Sequence, residues 1–279
     1  MLLAGLLQCA GCGEQATESA TEDAPVDSIV TLAPHLAELV FAAGAGDRLT
    51  GVSAWSDYPP AVAELPIISD AFTVDQEQLA VLQPSLILAW QSGTPQHVVD
   101  ELRASGHRVE AIVTRSLDDV ARAIEKIGEL TGNASDARST AAGFRDELER
   151  LSRQYAERPE LTVFYQVSAQ PLYTVNGEHY IGEILSLCGG RNVFAELGEL
   201  APAVTVESVL DRDPEVLLAG AAGGAPFDEW QRWPSLAALR YGNLFTVSAD
   251  EIGRPGTRLV TAIAEVCERL EDARRNIAD

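Results

Sequence analysis

One pattern written twice does most to limit what this chain can fold into. "EQLAVLQPSLILA" (77–89) and "ESVLDRDPEVLLA" (207–219) both begin with Glu, carry Pro seven residues later and enter an aliphatic strand. "ELVFAAGAGDRL" (38–49) and "EILSLCGGRNVF" (183–194) likewise share Glu, an apolar helical stripe and Gly six residues on. A single helix–Pro–strand match arises easily by chance. Two matches in the same order predict two lobes of similar build.

The rest of the pattern fits that reading. Apolar, β-branched runs at 28–33, 49–54, 85–90 and 108–113 alternate with helical stripes at 35–45, 74–83 and 95–106; Gly44, Gly46 and Gly106 sit where helix C-caps belong. Such alternation predicts a mainly parallel sheet. From Ser116 to Tyr155 it stops. Leu117, Val120, Ile124, Ile127 and Leu130 recur at helical spacing, "TGNAS" (131–135) interrupts, and Phe144, Leu148, Leu151 and Tyr155 resume the stripe. Strands return at 161–167, 215–220 and 244–249, with helices at 180–189, 205–212, 229–240 and 257–273. The expected organisation is a signal and tether over 1–26, an α/β lobe over 27–114, a linking helical segment over 115–158 and a second α/β lobe over 159–279.

Charge narrows the function. With 42 acidic against 20 basic residues the net charge is −22, spread along the chain. Such a surface repels nucleic acid and anionic lipid, so neither is expected as a partner of the protein's body. The opening "MLLAGLLQCAGC" is apolar but too short to span a bilayer, and it lacks the basic region of a complete secretory signal. Its ending, "AGC", resembles a bacterial lipobox with Cys12 as the lipidated residue. "GEQATESATEDAPVD" (13–27) then has the composition of a disordered tether. Export is the expectation, with membrane attachment only through a lipid on Cys12.

Two similar lobes leave a cleft, and ligands favour domain interfaces and the ends of parallel strands. Trp55 and Tyr58 lie in "GVSAWSDYPP" just after a first-lobe strand, in a loop stiffened by Pro59 and Pro60. Trp90 ends the strand at 85–90, Tyr173 follows the strand at 161–167, and Asp250 and Arg254 follow the strand at 244–249. Flat apolar walls with a few polar anchors suit a large, partly aromatic or macrocyclic ligand. Each ring is equally open to a packing role, the expectation for Trp230 and Trp233, and Asp250 with Arg254 is open to being a plain surface ion pair.

"VSAWSDYPP", "QPSLILAW", "LCGGRNVF" and the Asp250–Arg254 spacing resemble the cobalamin-binding branch of the helix-linked periplasmic binding proteins of bacterial ABC importers, over most of the chain from about Val26. The resemblance implies two Rossmann-like α/β lobes with mainly parallel sheets, joined by a single long rigid helix, and a small hinge motion on binding. It implies cobalamin or a related corrinoid as transported ligand, held by Trp55, Trp90 and Tyr173 with Asp250 and Arg254 on the far wall. Glu77 and Glu207 match the two glutamates, one per lobe, that dock on the ABC permease, itself driven by ATPase subunits; on their own they are first-turn acids favoured by the helix dipole. Two positions depart from the family. Ala71 and Phe72 in "ISDAFTV" stand where a Trp is usual, with Phe72 expected to refill the gap, and Ala201 in "LAPAV" stands where a second Trp is usual. Another corrinoid, haem or a ferric siderophore are therefore alternative cargoes. Cys188 and Cys267 match the family's disulfide, which export permits. A monomer in the periplasm, or at the outer face of the cytoplasmic membrane, is implied.

No G-x-S-x-G elbow, P-loop or H-E-x-x-H motif occurs, and His35, His97, His107 and His179 are scattered. Neither a catalytic residue nor a resident metal or other cofactor is expected. An enzyme would have to work through Asp57, Asp250 or Glu178, and a sensor without a transporter is a third reading. His35 and His179 lie near the cleft loops and are candidates for ligand contact.

Overall fold

A computed structural model describes residues 25–221 and 225–279. Cys12 and all but the end of the tether lie outside the described residues. The first lobe runs β1 (Ile29–Thr31), α1 (Pro34–Ala42), β2 (Leu49–Ser53), β3 (Ile67–Ser69), α2 (Gln76–Leu82), β4 (Leu86–Trp90), α3 (Gln96–Ala104) and β5 (Val109–Ile112). Its sheet has the order β3-β2-β1-β4-β5, and every pairing is parallel.

The linking segment is two helices, α4 (Leu117–Thr131) and α5 (Ala134–Tyr155), which corrects the expectation of a single long helix. Gly132 takes φ +76°, a conformation that ends α4 and lets the chain double back. Arg145 of α5 returns to Asp118 (2.8 Å) and Glu125 (2.6 Å) of α4, so the two helices run antiparallel. At the other end of α4, Ser116 Oγ accepts the Asp119 N–H (3.1 Å) and the Asp119 carboxylate accepts the Ser116 N–H (3.0 Å), a capping box.

The second lobe contains β6 (Leu161–Gln166), a small hairpin of β7 (Ser168–Ala169) and β8 (Leu172–Tyr173), α6 (Tyr180–Leu187), β9 (Gly190–Asn192), α7 (Val206–Arg212), β10 (Val216–Ala221), α8 (Ala237–Arg240), β11 (Leu244–Ser248), α9 (Ala249–Ile252) and α10 (Leu259–Ala278). Its main sheet is again parallel, in the order β11-β10-β6-β9. The repeated junction is the same structure twice: α2 ends at Gln83 with φ 45° before Pro84, and α7 ends at Asp213 with φ 41° before Pro214. Proline disfavours the right-handed helical region for its predecessor, so both helices stop there and both strands follow at once.

Alternate strand residues divide between two faces. Ile29, Leu86 and Leu88 of the first sheet, and Val163, Val216 and Leu218 of the second, join one core that runs through α1, α4, α5, α6 and α10 and unites the lobes. Val30, Ile87 and Ala89 pack beneath α2 and α3, while Phe164, Leu217 and Ala219 pack beneath α7 and α8. A disulfide between Cys188 and Cys267 ties the end of α6 to α10.

The glutamates of the second repeat also correspond. Glu38 of α1 accepts two hydrogen bonds from Arg258, at the start of α10 (2.6 and 3.1 Å). Glu183 of α6 accepts the Leu117 N–H, at the start of α4 (2.8 Å), and burial raises its carboxyl above the ordinary range. Each lobe thus holds, through a glutamate, the first turn of a helix that follows the other lobe's sheet.

Candidate functional site

The C-terminal ends of β1, β2, β3 and β4 open into a cavity of about 140 Å³. Trp55, Phe72 and Trp90 all line it, together with small or apolar neighbours such as Ala33, Ala71 and Val98. Trp55 is 71% exposed and Phe72 78%, so neither ring serves the core. Trp55 has φ 61°, unusual for a bulky side chain and the conformation that aims its ring outward. Phe72 is presented by a turn in which Asp70 Oδ1 accepts the N–H groups of Phe72 (2.8 Å) and Thr73 (2.7 Å); those bonds hold the Asp70 carboxyl below its usual range.

Trp90 is the half-buried floor. Its ring meets that of His35 edge-on at 4.8 Å, and a Cβ on Gly93 would lie 2.0 Å from it, so only glycine fits there. Burial, with the nearby Arg254 charge, lowers the His35 pKa to about 3, keeping the imidazole neutral. His179 is occupied differently: its Nδ1 accepts the Ile181 N–H (3.1 Å) as the cap of α6, and burial lowers its pKa to about 4.

The corresponding end of the second sheet is filled. Trp230 is buried, as expected, and donates to Gln166 Oε1 (2.7 Å), leaving a cavity of only about 20 Å³. Tyr173 stands at the edge of this lobe, 37% exposed, on the hairpin that pairs with Ala203. Ala201 is exposed nearby and supplies no ring. Tyr173, Asp250 and Arg254 do not line the first-lobe cavity.

Arg254 nevertheless reaches the first lobe. It binds Asp57, in the same loop as Trp55, and Asp250 (2.8 Å) in its own lobe. Arg258 adds its bidentate contact with Glu38 and stacks on Tyr58, 4.5 Å from the ring centroid. Glu38 and Arg258 were invisible to the sequence reading as site residues, and Asp57 entered it only as an enzyme's acid. The one available hint was the repeated Glu. Glu77 and Glu207 are both exposed in the first turns of α2 and α7, which are capped by Asp75 and Thr205.

Parallel α/β lobes on a shared core, an aromatic cavity at the strand ends of one and an ion-paired contact with the other define a two-lobed ligand-binding protein. Residues 29–247 match the family described as Periplasmic binding protein, and the chain belongs to it. A vitamin B12-binding protein of Vibrio parahaemolyticus is 36% identical over 252 residues, covering 90% of this chain and 92% of that protein. The crystal structure of the periplasmic vitamin B12-binding protein of Vibrio cholerae matches with a TM-score of 0.81 and 35% identity, over 90% of this chain and 98% of that one. A periplasmic haem-binding protein from Roseiflexus sp. RS-1 shares the fold, with a TM-score of 0.77 at 21% identity over 89% and 99% of the two chains. Membership of the family carries an extracytoplasmic location. No helix among the described residues is long and apolar enough to cross a membrane.

Proposed function

We propose that this protein captures cobalamin or a related corrinoid between its lobes and delivers it to the permease of an ABC importer, acting as a monomer and without chemistry on the ligand. The observation that carries the reading is the outward pair Trp55 and Phe72 beside Trp90, around one cavity at the strand ends. A cavity of about 140 Å³ is too small to enclose a macrocycle, since drug-sized ligands already occupy roughly 300–1,000 Å³. A large ring would therefore lie across the cavity and between the lobes, with Trp55 and Phe72 on one side and Tyr173, Asp250 and Arg254 on the other. The identity with vitamin B12-binding proteins over nine-tenths of the chain supports that cargo. The continuous core through α4, α5 and α10 supports a small hinge motion.

The test is a calorimetric titration with cyanocobalamin, followed in parallel by Trp fluorescence. One-to-one binding at submicromolar Kd, weakened at least tenfold by Trp90→Ala, is expected; no binding overturns the cargo. Glu77 and Glu207, at matched and exposed positions, are proposed to dock on the permease. Glu77→Arg with Glu207→Arg should abolish uptake in a transport assay while cobalamin still binds, and unimpaired uptake would remove that role. Lipid attachment through Cys12 belongs to the same proposal, and mass spectrometry of the mature protein reads it directly.

A further inference from the structure

Where the lobes meet, two cations lie inside and two of their three carboxylates lie outside. The side chains of Arg254 and Arg258 are 14% and 20% exposed, whereas those of Asp57 and Asp250 are 58% and 64% exposed. One terminal nitrogen of Arg254 binds Asp57 and the other binds Asp250. Arg258 directs Nε and Nη2 to Glu38 and lies 4.0 Å from Asp57. A guanidinium recognises carboxylates through a rigid fork of N–H groups, and both forks here are already engaged. The cluster sets two cations against three carboxylates, two of which face solvent.

We infer that Asp57 is a charge selector for the cleft. It occupies Arg254 and presents a carboxylate to whatever enters, so the site takes a large ring with a rim of neutral amides and discriminates against a rim of carboxylates. Amide N–H groups donate to Asp57 and Asp250. A carboxylate rim brings only acceptors and like charge, and it meets a guanidinium that is already paired. The inference rests on the corrinoid reading above and adds the chemistry of the rim.

The same ring with two rims tests it. A dicyano corrinoid with its peripheral amides intact is compared with the form hydrolysed to carboxylates, by calorimetry on the full chain and on Asp57→Asn, at low and high salt. The full chain should prefer the amide form by about a hundredfold or more at low salt, and Asp57→Asn should shrink that ratio roughly tenfold. Added salt should shrink it as well, because part of the repulsion is exposed and screened. A ratio that Asp57→Asn leaves unchanged, whatever salt does to it, or a preference for the carboxylate form, overturns the selector. Asp57→Ser, at a side chain that is mostly exposed, makes the same comparison if Asp57→Asn fails to fold.

Haem, whose rim carries two carboxylates, separates this inference from the reading beneath it. Failure of both corrinoids would sink the corrinoid reading. In that event, haem binding that Asp57→Asn tightens about tenfold keeps the selector. Haem binding that is insensitive to the substitution, or absent from both proteins, overturns it.

Discussion

Arg258→Met should destabilise this protein more than Glu38→Gln, although the two substitutions break the same ion pair. The asymmetry follows from where each partner is left. The Glu38 side chain is 2% exposed, so removing Arg258 strands a carboxylate with no route to water. Such a loss costs about 3–5 kcal/mol when the remaining charge is buried. Arg258 is 20% exposed and lies 4.0 Å from Asp57, so losing the charge on Glu38 leaves it a partner and some solvent. The penalty there should be nearer 2 kcal/mol, with the Gln amide oxygen still accepting a hydrogen bond. Urea unfolding of the protein, both single variants and the double variant completes the cycle, with Tyr58→Leu as a control for the lost stacking, worth about 0.5–1 kcal/mol. The double variant should be at least about 1 kcal/mol more stable than Arg258→Met alone, because it no longer buries a lone charge. Equal penalties for the two single variants, with no coupling between them, would refute the view that this pair joins the lobes.

Three further outcomes can be measured. His35 and His179 titrate in the folded protein at about 3 and 4 against an ordinary 6.5, so the unfolded chain takes up protons first. Their contribution is complete above pH 6.5 and is lost as pH falls towards the folded values, by roughly 2 kcal/mol each at pH 5; His179→Asn, which keeps a cap acceptor, should remove about half of that loss, and stability unchanged from pH 7 to 5 contradicts the assignment. Replacing Cys188 and Cys267 together by Ala opens a loop of 79 residues and should cost up to about 4.5 kcal/mol in thermal unfolding; an unchanged Tm would count against the cross-link. Gly93→Ala places a methyl 2.0 Å from the Trp90 ring and should displace it, altering near-ultraviolet circular dichroism and weakening cobalamin at least tenfold; intact binding would mean Trp90 is not a wall of the site.

Local rules made much of this legible. The Gln83–Pro84 and Asp213–Pro214 junctions obey a constraint between adjacent residues, so the duplication was visible in the one-letter code. Trp55 and Trp90 converge because each stands at the end of a parallel strand of one sheet, and those strand ends can be located from hydrophobic runs; Phe72 follows β3 and is reached only through the family resemblance. The short strands β3, β8 and β9 were not visible, since two or three residues carry no alternation to detect. The break between α4 and α5 was marked by "TGNAS", but the return of α5 against α4 is set by Arg145 finding Asp118 and Glu125, which spacing along the chain does not disclose. For the same reason the pairs Glu38–Arg258 and Asp57–Arg254, 220 and 197 residues apart, left no trace in the sequence reading.

That separation bears on the order in which the protein is made. The first sheet is complete at Ile112, and nothing beyond it is needed to pair its strands. A chain emerging from its N-terminus can pair those strands while Arg254 and Arg258, the partners of Asp57 and Glu38, are still unsynthesised. Until α10 arrives, Glu38 has no cation to pair with, and the face of the sheet that joins the shared core lacks part of its cover. A chain stopped short of residue 254 should therefore expose apolar surface that the finished protein buries, and should aggregate where the finished protein does not.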